Sequence, residues 1–488
     1  MPDAEHSMPY LSLLRPNLCP VGVTMTHRTH HRLTAVRAIA LAGCVALTGT
    51  LVACSSDSST DGPDGDVVIR VQGMPAATDE AGLAAFEAKV EAFEEANPGI
   101  TVEGSTNVWD PLTFSAQLAG GSIEDVIRVP LTEPRGLIER GQVQPITSQL
   151  SEWDHSEEFN PQVLEPLSDA DGEIYGIPQS PFALGLVYNR ALFDAAGLDP
   201  DKPPTTWDEV RTYAKQISDA TGAAGFVHES KDNSGGWQLT MMAYSHGGEV
   251  ERRDGDTFVA DFQNDAVRDS LTLLQQMRWS DNSMGESQLL DQNDATQQFA
   301  AGQIGMFMGT PGIYRLAKMN FDMADTASFG MAAMPQSGGN ATLSGSEVYM
   351  IPASVSEEQA AAAVEWLVFA YAEPQYDADA AAEQAKTLAA DPAAAVGVPV
   401  LPMFDEEQQA KIDEAVAPYV NVELEHFQPY IETTPTLELR PEPPFQAQTL
   451  YEALDPVVQA VLTDPDADID ALLASAEQDA NAKLASAG

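Results

Sequence analysis

An alternation of strand and helix signals that begins at residue 67 constrains the fold most strongly. Val67–Val71 and Val126–Val129 are β-branched runs, and Ile100–Val102 is a third, which is typical of strands. Between them, Leu83–Ala96 carries apolar residues at helical spacing, and Leu112–Leu118 is a second helical segment. This β-α-β-α-β order predicts a parallel α/β sheet that binds ligands beyond the carboxyl ends of its strands. Later in the chain, helices are predicted at Trp207–Thr221 and Ile469–Ala487.

The residues before this sheet predict export. A basic stretch precedes an apolar stretch at 38–53, which is too short for a confident membrane-spanning helix and is typical of a signal peptide. The stretch ends in Leu51-Val52-Ala53-Cys54, which resembles the bacterial lipobox, whose cysteine becomes the lipid-modified first residue. The predicted segments are an upstream extension at 1–24, a lipoprotein signal peptide at 25–53 and a flexible tether at 54–66 that is anchored through Cys54.

The charge of the chain excludes two kinds of partner. Lys and Arg number 24 against 74 Asp and Glu, a net charge of −50. The predicted leader holds four basic and two acidic residues, so the mature chain carries 20 against 72, or −52. Such a chain repels phosphate backbones and anionic membrane surfaces. We therefore expect no nucleic-acid partner and contact with the membrane only through the N-terminal lipid.

Cofactor and metal chemistry find no support in the sequence. No glycine-rich nucleotide loop follows the first strand. The histidines are scattered without metal-ligand spacing, and two of the three cysteines, Cys19 and Cys44, fall in the predicted leader. We therefore predict no cofactor, no metal and no disulfide.

Four segments in order resemble the family 1 extracellular solute-binding proteins, the substrate-capturing components of bacterial ABC importers, which include maltose-binding-like proteins. No single segment is decisive, but together they extend the resemblance from about residue 66 to the C-terminus. The segments are Tyr175–Pro178 with Gly185–Phe193, Ala196–Pro200 with Pro203–Glu209, Phe299–Gly309, and Gly338–Ser354 with its Tyr349-Met350-Ile351-Pro352 core.

The resemblance implies an α/β, two-lobe periplasmic-binding-protein-like fold of type II, with discontinuous lobes and an interlobe ligand cleft. It places the first crossing near Phe182–Gly185, the second near Thr342–Glu347 and a third near 374–402. It also implies an exported monomer that delivers its ligand to the permease subunits of an ABC transporter. The implied lobes are 67–181 with about 346–375, and about 185–342 with about 400–488.

Most members of the family bind carbohydrates, whose C–H faces stack on aromatic rings and whose hydroxyls bond amides, carboxylates and arginine. Trp109 and Trp237 lie in polar loops, Phe182 lies at the first crossing, and Tyr314 follows a Gly-Thr-Pro-Gly loop. Each ring could equally be simple packing. Arg128 interrupts an apolar strand and could bond a sugar hydroxyl, bond an anionic group or pair with a carboxylate. The predicted ligand contacts are Gln72, Trp109, Arg128, Phe182, Trp237, Gly309, Tyr314 and Glu347.

The leading hypothesis is a lipid-anchored sugar-binding protein on the extracellular face of the cell membrane. An alternative is a binding protein for a non-sugar solute such as glycerol phosphate, which needs cationic groups, or a polyamine, which needs clustered carboxylates with aromatic rings. A secreted carbohydrate-active enzyme is the third hypothesis. No catalytic motif is present, so we predict that the chain is not an enzyme.

Overall fold

The computed structural model describes residues 67–255, 257–391 and 393–487; the predicted extension, signal peptide, Cys54 and tether lie outside them. The strands are β1 (Val67–Gln72), β2 (Ile100–Ser105), β3 (Ile127–Pro130), β4 (Gly176–Pro178), β5 (Phe182–Ala183), β6 (Gly185–Asn189), β7 (Glu251–Asp254), β8 (Thr257–Ala260), β9 (Met306–Gly309), β10 (Phe329–Ala333), β11 (Ala341–Gly345), β12 (Glu347–Met350) and β13 (Glu438–Arg440).

Helices connect and cover these strands. They are α1 (Glu80–Ala96), α2 (Pro111–Gly120), α3 (Pro134–Glu139), α4 (Thr147–Leu150), α5 (Pro161–Leu164), α6 (Arg190–Ala195), α7 (Trp207–Thr221), α8 (Ser234–Ser245), α9 (Asp265–Gln275), α10 (Gln292–Ala300), α11 (Ile313–Asn320), α12 (Glu357–Leu367), α13 (Glu373–Tyr376), α14 (Ala378–Ala389), α15 (Glu406–Val416), α16 (Gln428–Thr433), α17 (Ala447–Thr463) and α18 (Ile469–Ala487). Two π-helical turns, Gln276–Ser280 and Val368–Ala372, extend α9 and α12. In the part of the chain with described coordinates, no helix is long and apolar enough to cross a membrane.

The first lobe is built on the predicted α/β unit. Strand β1 pairs in parallel with β2, and a parallel bridge from Val71 to Val126 brings β3 to the other side of β1. Strand β12, from much later in the chain, pairs antiparallel with both β3 and β4. The apolar faces of α1 and α12 meet beneath the sheet, where Phe93 packs edge-on against Trp366 at 5.3 Å between ring centroids. The predicted β-α-β-α-β order is confirmed.

The second lobe is organised around the antiparallel sheet β10-β6-β9. Helix α7 begins where the sequence predicts: the Thr206 hydroxyl accepts the Glu209 N–H, and the Glu209 carboxylate accepts the Thr206 N–H, a capping box that satisfies two free amides. Trp207, 1% exposed, fills the core and donates its indole N–H to the Ser245 hydroxyl at 2.7 Å. This lobe is therefore a packed unit with its own core.

Short strands join the two lobes. Strand β5 pairs antiparallel with β11, and β13 pairs in parallel with the other edge of β11. The strands that follow diverge, because β6 enters the sheet of the second lobe whereas β12 enters the sheet of the first. Two short crossing strands side by side can bend together, which is the geometry of a hinge.

The chain after residue 374 differs from the prediction. Val398 and Phe427 pack in the core of the second lobe, whereas Met403 and Phe404 pack in the core of the first. The backbone of Phe404 forms a bridge with Phe159 of the first lobe. The prediction that the second lobe resumes at about 400 is therefore wrong for Met403 and Phe404, because their apolar side chains cover first-lobe surface.

Candidate functional site

The carboxyl end of β1 carries a buried hydrogen-bond network. Gln72 is 2% exposed; its side-chain oxygen accepts the Arg128 N–H at 3.0 Å, and its amide donates to the Glu124 carboxylate at 2.9 Å. Glu124 also accepts from Ser105 at 2.7 Å and Asn107 at 2.6 Å. Burial raises the pKa of Glu124, but these hydrogen bonds outweigh it and hold the pKa below its usual value. Gln72 therefore positions the strand ends, and its buried amide is already satisfied.

Two of the predicted contacts meet as an ion pair. Strand pairing aligns Tyr349 of β12 with Arg128 of β3, and the Arg128 guanidinium lies 3.5 Å from the Glu347 carboxylate. Both side chains keep about 30% of their surface exposed. The Tyr349 hydroxyl lies near the Arg128 side chain, and the Tyr349 ring stacks on Tyr371 with centroids 4.1 Å apart. The Arg128–Glu347 pair has no net charge, and its exposed atoms can still form hydrogen bonds. We call this pair and its neighbours the rim of the first lobe.

The hinge holds Phe182 against a glycine. A Cβ atom at Gly345, the partner of Phe182 in the β5–β11 pair, would lie 2.3 Å from the Phe182 ring. The half-buried ring also packs against the core of the second lobe. The contacts of Phe182 are therefore packing contacts between the short strands β5 and β11 and the second-lobe core.

Trp237 lies at the amino end of α8, on the second lobe. The Asp455 carboxylate anchors that end by accepting the Asn233 and Gly236 N–H groups, each at 2.8 Å. The Trp237 ring is partly exposed, and its indole N–H lies near the carboxyl group of Glu442. Burial raises the pKa of Glu442 to about 7, although the neighbouring Trp237 and Tyr451 side chains lower it. The second lobe thus has an aromatic ring beside a carboxyl group, and we call Trp237 and Glu442 the rim of the second lobe.

Tyr314 is a correction to the predicted site. It is 1% exposed, and its ring packs edge-on against Phe329 at 5.1 Å. Its hydroxyl donates to Glu423 at 3.3 Å, and burial raises its pKa to about 12. Tyr314 is therefore a core residue of the second lobe, because α11 turns its apolar face, including Ile313, inward.

Gly309 and Trp109 both pack against neighbouring side chains. Gly309 is buried at the end of β9, where a Cβ atom would lie 2.9 Å from Ile313. The Trp109 ring lies against Phe114 with centroids 4.4 Å apart and packs on a first-lobe core. Its indole N–H is buried and has no partner among the described residues. Trp109 is therefore largely a packing residue with one unsatisfied donor.

Sequence reasoning missed several residues that complete these two rims. The Tyr349–Tyr371 stack and Gln179, which accepts the Tyr349 hydroxyl at 3.4 Å, surround Arg128. Glu442 stands beside Trp237. Only Glu442 has a sequence signal, since it lies in the Pro-rich loop after β13. In the stretches that the structure describes, no three His, Cys, Asp or Glu side chains could hold a metal ion.

The family of bacterial extracellular solute-binding proteins matches residues 77–377. A binding protein of Brucella abortus (strain 2308) is 25% identical over 258 residues, 51% of this chain and 59% of that relative. The sn-glycerol-3-phosphate-binding periplasmic protein of Escherichia coli (strain K12) is 27% identical over 183 residues, 35% of this chain and 39% of that protein. The chain thus spans less than two thirds of the length of these relatives.

Solved structures agree on the fold. The cyclic alpha-maltosyl-1,6-maltose binding protein from Arthrobacter globiformis superposes with a TM-score of 0.61 at 23% identity, over 86% of this chain and 99% of that one. The fold is thus the predicted two-lobe, type II α/β fold. The chain belongs to the family of bacterial extracellular solute-binding proteins. Members of this family are binding proteins rather than enzymes.

Proposed function

We propose that this protein captures a carbohydrate, a mono- or oligosaccharide, between its lobes and delivers it to the permease of an ABC importer. In this proposal it is exported, acts as a monomer and is held on the extracellular face of the membrane by lipid on Cys54. The observation that carries the ligand class is the pair of rims. The first lobe offers the Arg128–Glu347 pair, and the second offers Trp237 beside Glu442.

This combination suits a sugar better than an anion. A sugar presents C–H faces that pack on an indole ring and hydroxyls that both donate and accept hydrogen bonds. Arg128 can donate to a hydroxyl while Glu347 accepts from one. A phosphate would instead meet Arg128 with its charge already balanced by Glu347 at 3.5 Å, and the carboxyl group of Glu442 would repel it.

Glycerol phosphate stays the second candidate, because the Escherichia coli relative is named for binding it. A polyamine is the third, because Glu442 and Trp237 together are a carboxylate with an aromatic ring. A screen of thermal unfolding against sugars, phosphodiesters and amines separates the three. A ligand present at a hundred times its Kd stabilises the folded state by about 2.7 kcal/mol. Stabilisation by phosphodiesters or amines alone would contradict the carbohydrate proposal.

The binding cycle follows from the hinge. Ligand docks on one rim, and bending at β5 and β11 brings the other rim over it, since contacts to both lobes favour the closed arrangement. The loaded, closed form then engages the permease. Small-angle scattering of the protein with a saturating ligand is expected to show compaction, and an unchanged radius of gyration would contradict this account.

Replacing Arg128 by Gln is expected to weaken carbohydrate binding at least about tenfold, because a charge-assisted hydrogen bond contributes roughly 1.5–3 kcal/mol and Glu347 loses its partner. Titration calorimetry with the sugar identified in the screen measures the change. Arg135→Gln is the matched control, since Arg135 is an exposed arginine on helix α3 of the same lobe. Equal affinities of the Arg128 variant and the control would remove Arg128 from the site.

The anchor gives a separate prediction. The variant Cys54→Ser cannot receive lipid, so we expect most of the protein to move from the membrane fraction to the medium or the soluble exported fraction, because no other described segment could span the bilayer. Fractionation of expressing cells with immunodetection, together with the mass of the mature N-terminus, measures this. Retention of the serine variant in the membrane to the same extent as the unmodified protein would contradict lipid anchoring.

A further inference from the structure

One ion pair reaches from lobe to lobe outside the ligand-contacting residues. The guanidinium of Arg253, on the β7–β8 hairpin of the second lobe, donates to the carboxylate of Glu139 at 2.9 Å. Glu139 is the last residue of helix α3 in the first lobe. That helix follows β3, so it lies at the carboxyl edge of the sheet, the edge at which such folds meet their ligands.

The hairpin is firmly attached to its own lobe. Phe258 stacks on Phe445 with centroids 6.2 Å apart, and the Ala260 N–H donates to Asn481 at 2.9 Å. The Arg253 guanidinium lies 5.6 Å from the centre of the Phe258 ring and also donates to the Gly255 carbonyl at 3.3 Å, so the hairpin itself holds the group that bonds Glu139. The β7–β8 hairpin therefore moves together with the second lobe, and the Arg253–Glu139 contact links the two lobes.

The charges around the Arg253–Glu139 pair favour the lobe arrangement in which the pair forms. Glu139 also lies 3.4 Å from Arg135 on its own helix, so it stands between one arginine of each lobe. Both lobes belong to a chain with a net charge of −50, so they repel each other at low ionic strength. An arginine of one lobe bonded to a glutamate of the other opposes that repulsion.

We propose that the Arg253–Glu139 pair is an electrostatic tie that biases the hinge towards the lobe arrangement seen in this structure. The tie makes hinge opening dependent on ionic strength. The inference rests on the hinge motion of the proposed function, and it concerns no ligand contact. Breaking the tie therefore alters the balance of lobe arrangements in the empty protein as well as in the loaded one.

Single-molecule energy transfer between dyes on the two lobes tests the tie without any ligand. The protein is the mature chain carrying Cys54→Ser, Glu152→Cys and Ala220→Cys, which places one exposed dye on each lobe. With Arg253→Glu, the population outside the main interlobe distance is expected to rise about two- to fivefold, the range of an exposed ion pair. Adding Glu139→Arg to that variant is expected to restore the original distribution.

Arg252→Glu is the matched control, because Arg252 neighbours Arg253 on the hairpin but lies 3.7 Å from Asp261 within its own lobe. Raising the salt from about 0.05 M to about 1 M shortens the Debye length to about 3 Å, so the difference between Arg253→Glu and the unmodified sequence is expected to shrink. Identical distributions for Arg253→Glu and Arg252→Glu at low salt would overturn the tie. A protein that bound no sugar but showed the shift would keep the tie and lose only the proposed ligand.

Discussion

Replacing Trp237 by alanine is expected to weaken carbohydrate binding about ten- to hundredfold, a loss of about 1.4–2.7 kcal/mol. The reason is that the indole supplies an apolar face for the C–H surface of a sugar, and alanine removes that contact area. The ring packs against the core of the second lobe, and its indole N–H lies near Glu442. Titration calorimetry with the sugar from the screen measures the affinity.

Two variants make this prediction sharper. Trp237→Phe keeps an aromatic face but reduces its area and removes the indole N–H, so we expect an intermediate loss. Trp279→Phe is the matched control, because Trp279 is another partly buried tryptophan of the second lobe, whose indole N–H donates to the Val461 carbonyl at 2.9 Å. If Trp237→Ala bound as tightly as the unmodified protein, Trp237 would be a packing residue, which was the alternative interpretation of its sequence.

The second large effect concerns stability and pH. Glu229 is 1% exposed, and burial, with the charge of Asp291, raises its pKa to about 8, although the nearby Ser234 side chain lowers it. A carboxyl whose pKa is raised on folding stabilises the folded state fully below its unfolded pKa, and this contribution is lost as pH rises through the folded value. Unfolding free energy should therefore fall between about pH 6.5 and about pH 8.

The neighbouring His228 sets the lower limit of that window. Burial lowers its pKa to about 4, so its contribution is lost as pH falls from about 6.5, its ordinary pKa, towards the folded value. Above about pH 6.5, the described carboxyl groups with raised pKa values lower the unfolding free energy as pH rises. Glu251, whose pKa burial raises to about 8, acts in the same direction as Glu229. Glu229→Gln should remove about 1–2 kcal/mol of the decline between about pH 6.5 and about pH 8.

Urea unfolding at several pH values measures this slope. Glu152→Gln, at an exposed position of the first lobe, is the control and should leave the slope unchanged. The slope is the informative quantity, because the amide introduced by Glu229→Gln also adds a buried donor, whose cost is independent of pH. Parallel slopes for Glu229→Gln and the unmodified protein would show that Glu229 is not held neutral.

Much of the fold was predictable from local patterns. The helices Trp207–Thr221 and Ile469–Ala487 have their predicted bounds, because caps and apolar spacing act over a few residues. Strand β12 pairs between β3 and β4, which lie far from it in the sequence. No local pattern in these strands indicates which strand each one pairs with. The packing of Phe404 in the first lobe was missed for the same reason.

The predicted ligand contacts differ in the surroundings that the structure gives them. Arg128 and Glu347 stood out because each is a charge in an otherwise apolar or hinge-forming segment, and the structure brings them together. Tyr314 followed a turn that resembles a ligand loop, but the burial of an aromatic ring depends on which way its helix faces. Gln72 was predicted as a ligand contact because it is a polar residue at a strand end, but its side chain forms hydrogen bonds with buried protein groups.

The sequence alone determined the alternation of strands and helices, the resemblance to the family and the acidity of the chain, because each is a property of neighbouring residues or of composition. Only the tertiary structure decided which side chains lie at the rims of the two lobes, which carboxyls are buried beside aromatic rings, and that Arg253 meets Glu139 across the lobes. Those contacts join residues far apart in the chain, and their energies depend on distance and burial, which no local pattern encodes.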